Sequence, residues 1–307
     1  MQITASMVKE LREISGAGMS ACKNALVEAE GDIKRAAEIL REKGLAAAAK
    51  KAGRIAAEGL VATAISECGK KGAIVEVNSE TDFVAKNEDF VSFVKQVAVE
   101  ALNSSPNSVD ALLESKWTPD PAQTVKEVLT HKIATIGENI GVRRFGIYET
   151  TGRVVDYIHG GGRIGVMLEI VADEITDDVY AAGRNICMQI AAMSPQYLDR
   201  DSVPAEYLAS EKEIITQQTN NENAESAKPK PPQVIEKMIE GRLAKQLKDI
   251  CLLDQEYVKD DKQTVAAYLK TVGKNTKVVR FTRFEKGEGI EKKEEDFAAE
   301  VQKAMKL

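Results

Sequence analysis

The chain has 307 residues, 29% of them charged and 5% aromatic, and its formal net charge is −6 at pH 7. This length is sufficient for two or more compact units that each bury a core. Because acidic side chains outnumber basic ones, the chain as a whole has no attraction for phosphate backbones, and we expect no direct nucleic-acid partner.

The cysteines and the apolar segments indicate the compartment. The four cysteines are scattered and form no C-x-x-C pair, which predicts neither a disulfide framework nor a zinc cluster. The start of the chain lacks a long apolar core with a cleavage site, and no window is long and apolar enough to span a bilayer. We therefore expect a cytoplasmic protein that is neither secreted nor bound to a membrane.

Residues 1–54 predict three short helices. Leu11 lies on the apolar face of the first, and Gly31 follows the second. Asp32 can cap the third, which we expect to end at Gly44. So few large apolar residues make a marginal core, and a bundle of this kind often docks on another surface. The Ala-rich "LAAAAKKAGRIAAEG" that follows predicts a helical connector.

Residues 55–140 predict the first part of an α+β core. The β-branched runs "GLVATAIS" and "GAIVEVN" flank the turn "CGKKG" and predict a hairpin. A helix follows, because apolar residues recur at helical spacing on one face: Phe90, Phe93, Val94, Val97 and Ala101. A further helix is expected over residues 124–136.

Residues 141–198 predict a second copy of this plan. "VRRFGIYETTG" and "RVVDYIHGGGRIGVMLEIV" supply its strands, and an acidic turn leads into a helix with Val179, Ile186 and Ile190 on one face. The second part of this copy, 246–284, contains the helix "TVAAYLK" and the closing strand "TKVVRFTRFE". The two strand-then-helix units predict a two-part α+β core with duplicated subdomains.

Residues 199–245 predict an insertion between these two parts. Pro204 suits the first turn of one helix, "NNENAESAKPKPP" must form a loop, and a second helix with apolar periodicity follows. We therefore expect the segment to project as an antiparallel helical hairpin. Its apolar stripe is moderately continuous, which leaves a homodimer formed through the hairpin open.

Residues typical of an active site are few. His131 and His159 are the two histidines of the chain, and neither belongs to a metal-ligand spacing such as H-E-x-x-H. The glycines of "HGGGRIG" precede a strand rather than a helix, so they predict a tight hairpin turn and not a phosphate-binding loop. No nucleotide-binding or nucleophile motif occurs. We expect no enzyme activity, no catalytic residue, no cofactor and no bound metal.

The stretch "EVNSETDFVAKNEDF" leaves two interpretations of Phe83 open. If one helix ran unbroken from Thr81, Phe83 would lie seven residues before Phe90, almost on the same face, and would belong to the core. If Asn87 starts a new helix, the preceding turn is free to project its aromatic ring elsewhere. Periodicity alone favours the core position.

Five segments of the chain carry a family resemblance: "LREISGAGMSACKNAL", "EVNSETDFVAK", "IGENI", "HGGGRIGV" and "RFEKGEGIEKKEEDFAAEV". Together they closely resemble the elongation factor Ts family, the bacterial guanine-nucleotide exchange factors for elongation factor Tu. The resemblance covers nearly the whole chain in the right order, and "EVNSETDFVAK" is its most specific part. The chain departs from the usual family pattern at four positions, which are Ser15, Ala21, Glu256 and Tyr257.

The resemblance implies an architecture and a partner. It implies an N-terminal three-helix domain similar to ubiquitin-associated domains, the two-part core, the inserted hairpin and a C-terminal helical module over 285–307. The implied partner is elongation factor Tu, both GDP-bound and nucleotide-free, and a 2:2 complex is one possible assembly. A passive binding scaffold that recruits partners without acting on nucleotide is the alternative function.

The resemblance also implies site residues and places Phe83 at an interface. The residues implied to meet the partner near its magnesium site are Thr81, Asp82, Phe83 and Val84. Further implied partner contacts are Met19, Cys22, Lys23, Ile136, Gly137 and His159. No nucleotide chemistry is expected of the chain itself.

Overall fold

The computed structural model describes residues 3–226 and 228–291 and has a mixed α+β fold. Its first unit consists of α1 (Ala5–Ser15), α2 (Met19–Glu28) and α3 (Ile33–Lys51). Thr4 caps α1 and Asp32 caps α3, because each side-chain oxygen accepts a hydrogen bond from a backbone N–H of the first turn. The small core of this unit contains Leu11, Cys22, Ala25, Leu26, Ala36 and Ile39.

The second unit is a three-stranded antiparallel sheet covered by helices. Its strands are β1 (Glu58–Ile65), β2 (Lys71–Ser79) and β3 (Gly141–Glu149), with β2 in the centre. The helices between β2 and β3 are α4 (Asp82–Ala85), α5 (Glu88–Ser104), α6 (Val109–Leu113) and α7 (Val125–Ile136). The predicted apolar face of α5 is confirmed, since Phe90 and its partners at helical spacing are buried against the sheet.

The third unit has a sheet of β4 (Arg153–His159), β5 (Ile164–Val171) and β8 (Lys277–Glu285), with β5 in the centre. The elements between β5 and β8 are α8 (Asp177–Met193), α9 (Ala205–Glu225), α10 (Pro232–Ile250), a short 3-10 helix (Leu252–Asp254), β6 (Glu256–Tyr257), β7 (Asp260–Thr264) and α11 (Val265–Val272). The predicted helix face of α8 is buried at Val179, Ile186 and Ile190.

The two three-stranded sheets share one topology. In each, a hairpin leads into a long helix, and a third strand returns to pair with the second strand of the hairpin. In each, a buried glutamate of the central strand faces an arginine and precedes a bulge: Glu76 faces Arg144, and Glu169 faces Arg280. This repetition supports the expected duplication, which stays a prediction.

The assignment of the strand β3 to the second copy is wrong. Residues 141–149 pair with β2 along their length, so that Val75 lies opposite Phe145. Without β3, the second edge of β2 would have unpaired backbone groups in a buried strand. The strand that plays the same part in the second copy is β8, which arrives more than a hundred residues later.

The helix α3 does not end at Gly44, and this prediction is wrong. It continues to Lys51, so the expected connector forms its last turns. At Gly44, α3 packs against α7: a Cβ added to this glycine would lie in ordinary contact, 3.5 Å, with the Cβ of Ala134. The Lys51 ammonium also donates to the carbonyl oxygen of Ile133 at 3.2 Å. These contacts outweigh the low helix propensity of glycine, which costs about 1 kcal/mol.

The inserted segment forms the two predicted helices, α9 and α10, which pack in antiparallel order. Arg242 forms an ion pair with Glu222 at 2.6 Å, and Gln246 donates to Glu211 at 2.7 Å, so late positions of α10 meet successively earlier positions of α9. Ile215, Ile235 and Ile239 form the apolar seam. Pro204 precedes α9 as its cap, outside the first turn, and α10 extends past residue 245 to Ile250.

We expect removal of the hairpin to leave the core folded. Tyr197 and Cys251 flank the insertion and are held side by side, because the backbone N–H of Leu252 donates to the Tyr197 carbonyl at 2.9 Å. Replacing residues 204–247 with a short Gly-Ser linker should shift the melting temperature by no more than about 4 °C, equivalent to about 1 kcal/mol. Calorimetry checks this, and loss of the cooperative transition contradicts it.

Candidate functional site

Phe83 lies on a separate helical turn and not in the core. Thr81 caps the four-residue helix α4 through a hydrogen bond from the N–H of Val84 to its hydroxyl. The side chain of Asn87 then caps a new helix, α5, by accepting from the N–H of Asp89 at 2.9 Å. The helix is therefore broken between the two aromatic residues, and the seven-residue spacing does not place them on one face. Phe83 is 81% exposed, so the core position that periodicity favours is wrong.

The turn packs against the core through two of its residues, while the ring of Phe83 is exposed to solvent. Ala85 is buried, and Val84 packs against the core of the first sheet. An exposed Phe contributes little to the stability of the free chain, but burying it against another protein yields about 1.5–3 kcal/mol. Because the backbone of the turn is already ordered, little further entropy is lost when the ring is buried.

Asp82 adds a negative charge beside this ring. Its carboxylate accepts from the Lys86 ammonium at 2.6 Å; the Lys86 side chain is exposed and that of Asp82 is about half exposed. The hydrogen bond from Lys86 lowers the pKa of Asp82, with smaller attraction from Lys286, so the carboxylate is ionised at neutral pH. Exposed ion pairs add little to stability. The group is therefore available to polar contacts with a partner.

A second segment, at the end of α7, is joined to this turn. One oxygen of the Glu138 carboxylate accepts from the N–H groups of Glu80 and Thr81 at 3.1 and 3.0 Å, and the other accepts from the Thr81 hydroxyl at 2.6 Å. Gly137 ends α7 with a φ of 89°, a conformation that favours glycine, and it is exposed. The structure thus joins the start of the 81–84 turn to Glu138, the residue that directly follows Ile136 and Gly137.

The three residues expected from α2 differ in exposure. Met19 is 63% exposed, and Lys23 is also exposed. Cys22 is fully buried, and its thiol lies 3.7 Å from the hydroxyl of Ser15. Its expected direct contact with a partner does not agree with this burial, because the side chain is enclosed by its own helices. Ala21, one departure from the family pattern, is exposed.

His159 ends β4 and lies at the surface. Its Nδ1 is 3.0 Å from the Tyr157 hydroxyl. The three glycines that follow have positive φ values of 58°, 65° and 101° and turn the chain directly into β5, so the predicted hairpin turn is confirmed. No helix begins there.

The other departures from the family pattern have partners of their own. Tyr257 is buried and stacks on Tyr268 with ring centroids 4.2 Å apart. Glu256 pairs with Lys248 at 2.7 Å. Tyr257 therefore belongs to the packing of the third unit, whereas Glu256 forms an exposed ion pair at its surface.

Within residues 3–226 and 228–291, no group of three or more His, Cys, Asp or Glu side chains is arranged to hold a metal ion. In the same part of the chain, no helix combines the length and apolar character that crossing a membrane requires. The four cysteines carry free thiols.

The residue that sequence reasoning missed is Glu138. It belongs to the quoted segment "IGENI", yet its neighbours Ile136 and Gly137 were the expected contacts. An acid immediately after a helix-ending glycine was the available signal. Its partners lie 57 and 58 residues away in the chain, so the sequence alone does not show what it holds.

An exposed aromatic side chain on an ordered turn is typical of a protein-binding protein. A sequence model of the family described as Elongation factor TS matches residues 80–288. An elongation factor Ts of Clostridioides difficile (strain 630) is 51% identical over 308 residues, which is 99% of each chain. One of Clostridium acetobutylicum is 52% identical over 311 residues, or 99% of this chain and 98% of the relative. The chain belongs to the elongation factor Ts family, whose role lies in protein biosynthesis.

Proposed function

We propose that the protein binds elongation factor Tu in its GDP-bound form, promotes GDP release and stabilises the nucleotide-free partner until GTP binds. The observation that carries this proposal is the 81% exposure of Phe83 on a capped, anchored turn. Family membership supports a role in nucleotide exchange, and the resemblance supplies the identity of the partner. The reaction belongs to the cytoplasm, where translation takes place.

The proposed mechanism follows from how a GTPase holds GDP. Backbone amides and a lysine hold the diphosphate, and Mg²⁺ bridges a phosphate oxygen and protein ligands. Phe83 inserts between partner side chains and shifts an element beside the metal, since packed interfaces switch between discrete arrangements. The ionised Asp82 supplies a carboxylate to polar contacts at the same place. Loss of the metal geometry then weakens the hold on GDP.

Thermodynamic linkage makes the effect reciprocal. The factor by which this protein lowers the GDP affinity of its partner equals the factor by which GDP lowers the affinity of the partner for this protein. No chemical step on the nucleotide is needed. By the same linkage, GTP that binds the nucleotide-free partner weakens its affinity for this protein and releases it.

Other surfaces of the protein bind the partner while the 81–84 turn disturbs the magnesium site. Thr81 and Val84 fix the turn, and the further proposed contacts are Met19, Lys23, Ile136, Gly137 and His159. Cys22 supports the α2 surface from inside the first unit. The predicted C-terminal module lies outside the described residues from position 292 onward. A homodimer through the hairpin and a 2:2 complex stay predictions.

Release of a fluorescent nucleotide tests the proposal. Elongation factor Tu loaded with mant-GDP is mixed with increasing amounts of this protein and excess unlabelled GDP. We expect the rate of release to rise with protein concentration to a plateau at least about tenfold above the spontaneous rate, which corresponds to about 1.4 kcal/mol. A passive scaffold would bind, as seen by titration calorimetry, and leave the rate unchanged. That outcome would overturn the exchange function.

A further inference from the structure

We propose that Glu138 is a positioning residue. Its carboxylate fixes residues 80–83 against the end of α7, so that the two segments meet the partner as one rigid surface. This inference rests on the proposed function and goes beyond it, because it assigns the geometry of the exchange surface to a side chain that is not itself offered as a partner contact.

The joint between the two segments is reciprocal. Glu138 accepts three hydrogen bonds from the first segment, two from backbone N–H groups and one from the Thr81 hydroxyl. In return, Glu80 accepts from the backbone N–H of Asn139 at 2.6 Å. The amide group of Asn139 also donates to the carbonyl oxygen of Arg54 at 2.7 Å. Each segment thus carries a carboxylate that binds the backbone of the other.

The bonds to Glu138 fix the beginning of the turn, whereas packing of Val84 and Ala85 fixes its end. α4 has only four residues, and a helix of that length is not stable by itself. The ring of Phe83 is exposed and supplies no packing in the free protein. Burial of Ala85 fixes the end of the turn, while its beginning is fixed by the bonds to Glu138. Hydrogen bonds to an ionised carboxylate are roughly twice as strong as neutral ones, so one side chain is sufficient.

For nucleotide exchange, the consequence is that the 81–84 turn keeps a fixed distance from the end of α7. Glu138 directly follows Gly137, whose left-handed conformation ends α7, and it binds Thr81, which caps α4. The turn that carries the exposed ring is therefore linked to the exposed end of α7 by the hydrogen bonds between Thr81 and Glu138. When Glu138 is truncated, we expect Phe83 to sample many positions, so that only a fraction of the encounters displace the partner element.

The first test compares Glu138→Ala with a matched control, Glu114→Ala. Glu114 is also a glutamate, but it forms only an exposed ion pair with Lys126 after α6. At saturating protein, Glu138→Ala is expected to lower the plateau rate of mant-GDP release by at least about fivefold, and the control should match the unchanged protein. Glu138→Gln keeps an acceptor and loses the charge, so we expect an intermediate rate. An unchanged plateau for Glu138→Ala would overturn the proposal.

A double substitution separates positioning from a merely structural role. If Glu138 acts through the aromatic ring, Glu138→Ala should cause little further loss in a Phe83→Ala background. Equal fold losses in both backgrounds would show that Glu138 acts independently and would overturn the proposal.

Amide hydrogen exchange tests the bonds between Glu138 and residues 80–81 in the free protein, without elongation factor Tu. In the unchanged protein the amides of Glu80 and Thr81 should be protected, and Glu138→Ala should speed their exchange at least about tenfold. Unaltered exchange rates would overturn the assignment of Glu138. A different pattern, in which the unchanged protein fails to accelerate GDP release while these amides respond as expected, would remove the proposed function and with it the role of Glu138 in exchange.

Discussion

Phe83→Ala is expected to lower the plateau rate of partner-stimulated GDP release by roughly tenfold or more, through loss of an aromatic contact worth about 1–3 kcal/mol. The melting temperature of the free protein should move by no more than about 2 °C, because the ring is 81% exposed and its removal leaves no cavity. Release of mant-GDP and calorimetry on the same preparation measure the two effects.

Phe90→Ala is the matched control. Phe90 begins the apolar face of α5 and is fully buried, so its truncation should cost about 3–5 kcal/mol and lower the melting temperature by roughly 6–20 °C. Below that transition, the folded variant should still accelerate release. A large fall in melting temperature for Phe83→Ala, or release that proceeds unimpaired, would each contradict the proposed use of the ring.

Asp82→Ala extends this comparison within the turn. It removes an exposed charge next to the ring, so we expect a smaller defect in release than that of Phe83→Ala. The two defects should be non-additive if the pair acts as one element.

The sequence predicts the elements of this fold well where contacts are local. Capping residues such as Asp32 and Asn87 mark helix starts, and the periodic apolar positions of α5 and α8 are buried as expected. The prediction failed where contacts with a segment distant in the chain determine the end of a helix or the sheet that a strand joins. Gly44 continues its helix because α7 packs against it, and β3 joins the first sheet because β2 has an open edge. Neither partner is visible in a local window.

The candidate site shows the same division. Periodicity gave the wrong answer for Phe83, since it assumes an unbroken helix, whereas the cap at Asn87 breaks it. The family resemblance implies an interface position for the ring, which stays a prediction, and the exposure of Phe83 agrees with it. Neither periodicity nor the family resemblance identified Glu138. Periodicity carries no information on a single acidic residue, and the proposed role of Glu138 depends on backbone groups 57 residues away in the chain.

Glu76 lies at the centre of a buried charge network behind the candidate site. It is fully buried in β2, and its carboxylate accepts from Arg143 at 3.0 Å, from Arg144 and from the backbone N–H of Gly287 at 2.8 Å. Next to Gly287, Lys286 pairs with Glu58 and attracts Asp82. One carboxylate thus ties the central strand to the segment that follows β8.

We expect Glu76→Gln to lower the free energy of unfolding at pH 7 by about 3 kcal/mol, at the low end for a broken buried pair because both arginines are 29–30% exposed. Glu169→Gln, at the matching place in the second sheet, should lower the free energy of unfolding by less, because its one arginine, Arg280, is 46% exposed.

Burial by itself raises the pKa of Glu76, but the hydrogen bonds from Gly287, Asn78 and Arg144 outweigh it and lower the pKa below its ordinary value of 4.5. A pKa lowered on folding stabilises the protein above that ordinary value, and the stabilisation is lost as the pH falls through the folded-state pKa. The difference in stability between the unchanged protein and Glu76→Gln should therefore be full at pH 7 and shrink below pH 4.5. Urea unfolding across this range measures it, and a difference that stays constant into acid, or equal losses for both glutamates, would contradict the role given to Glu76.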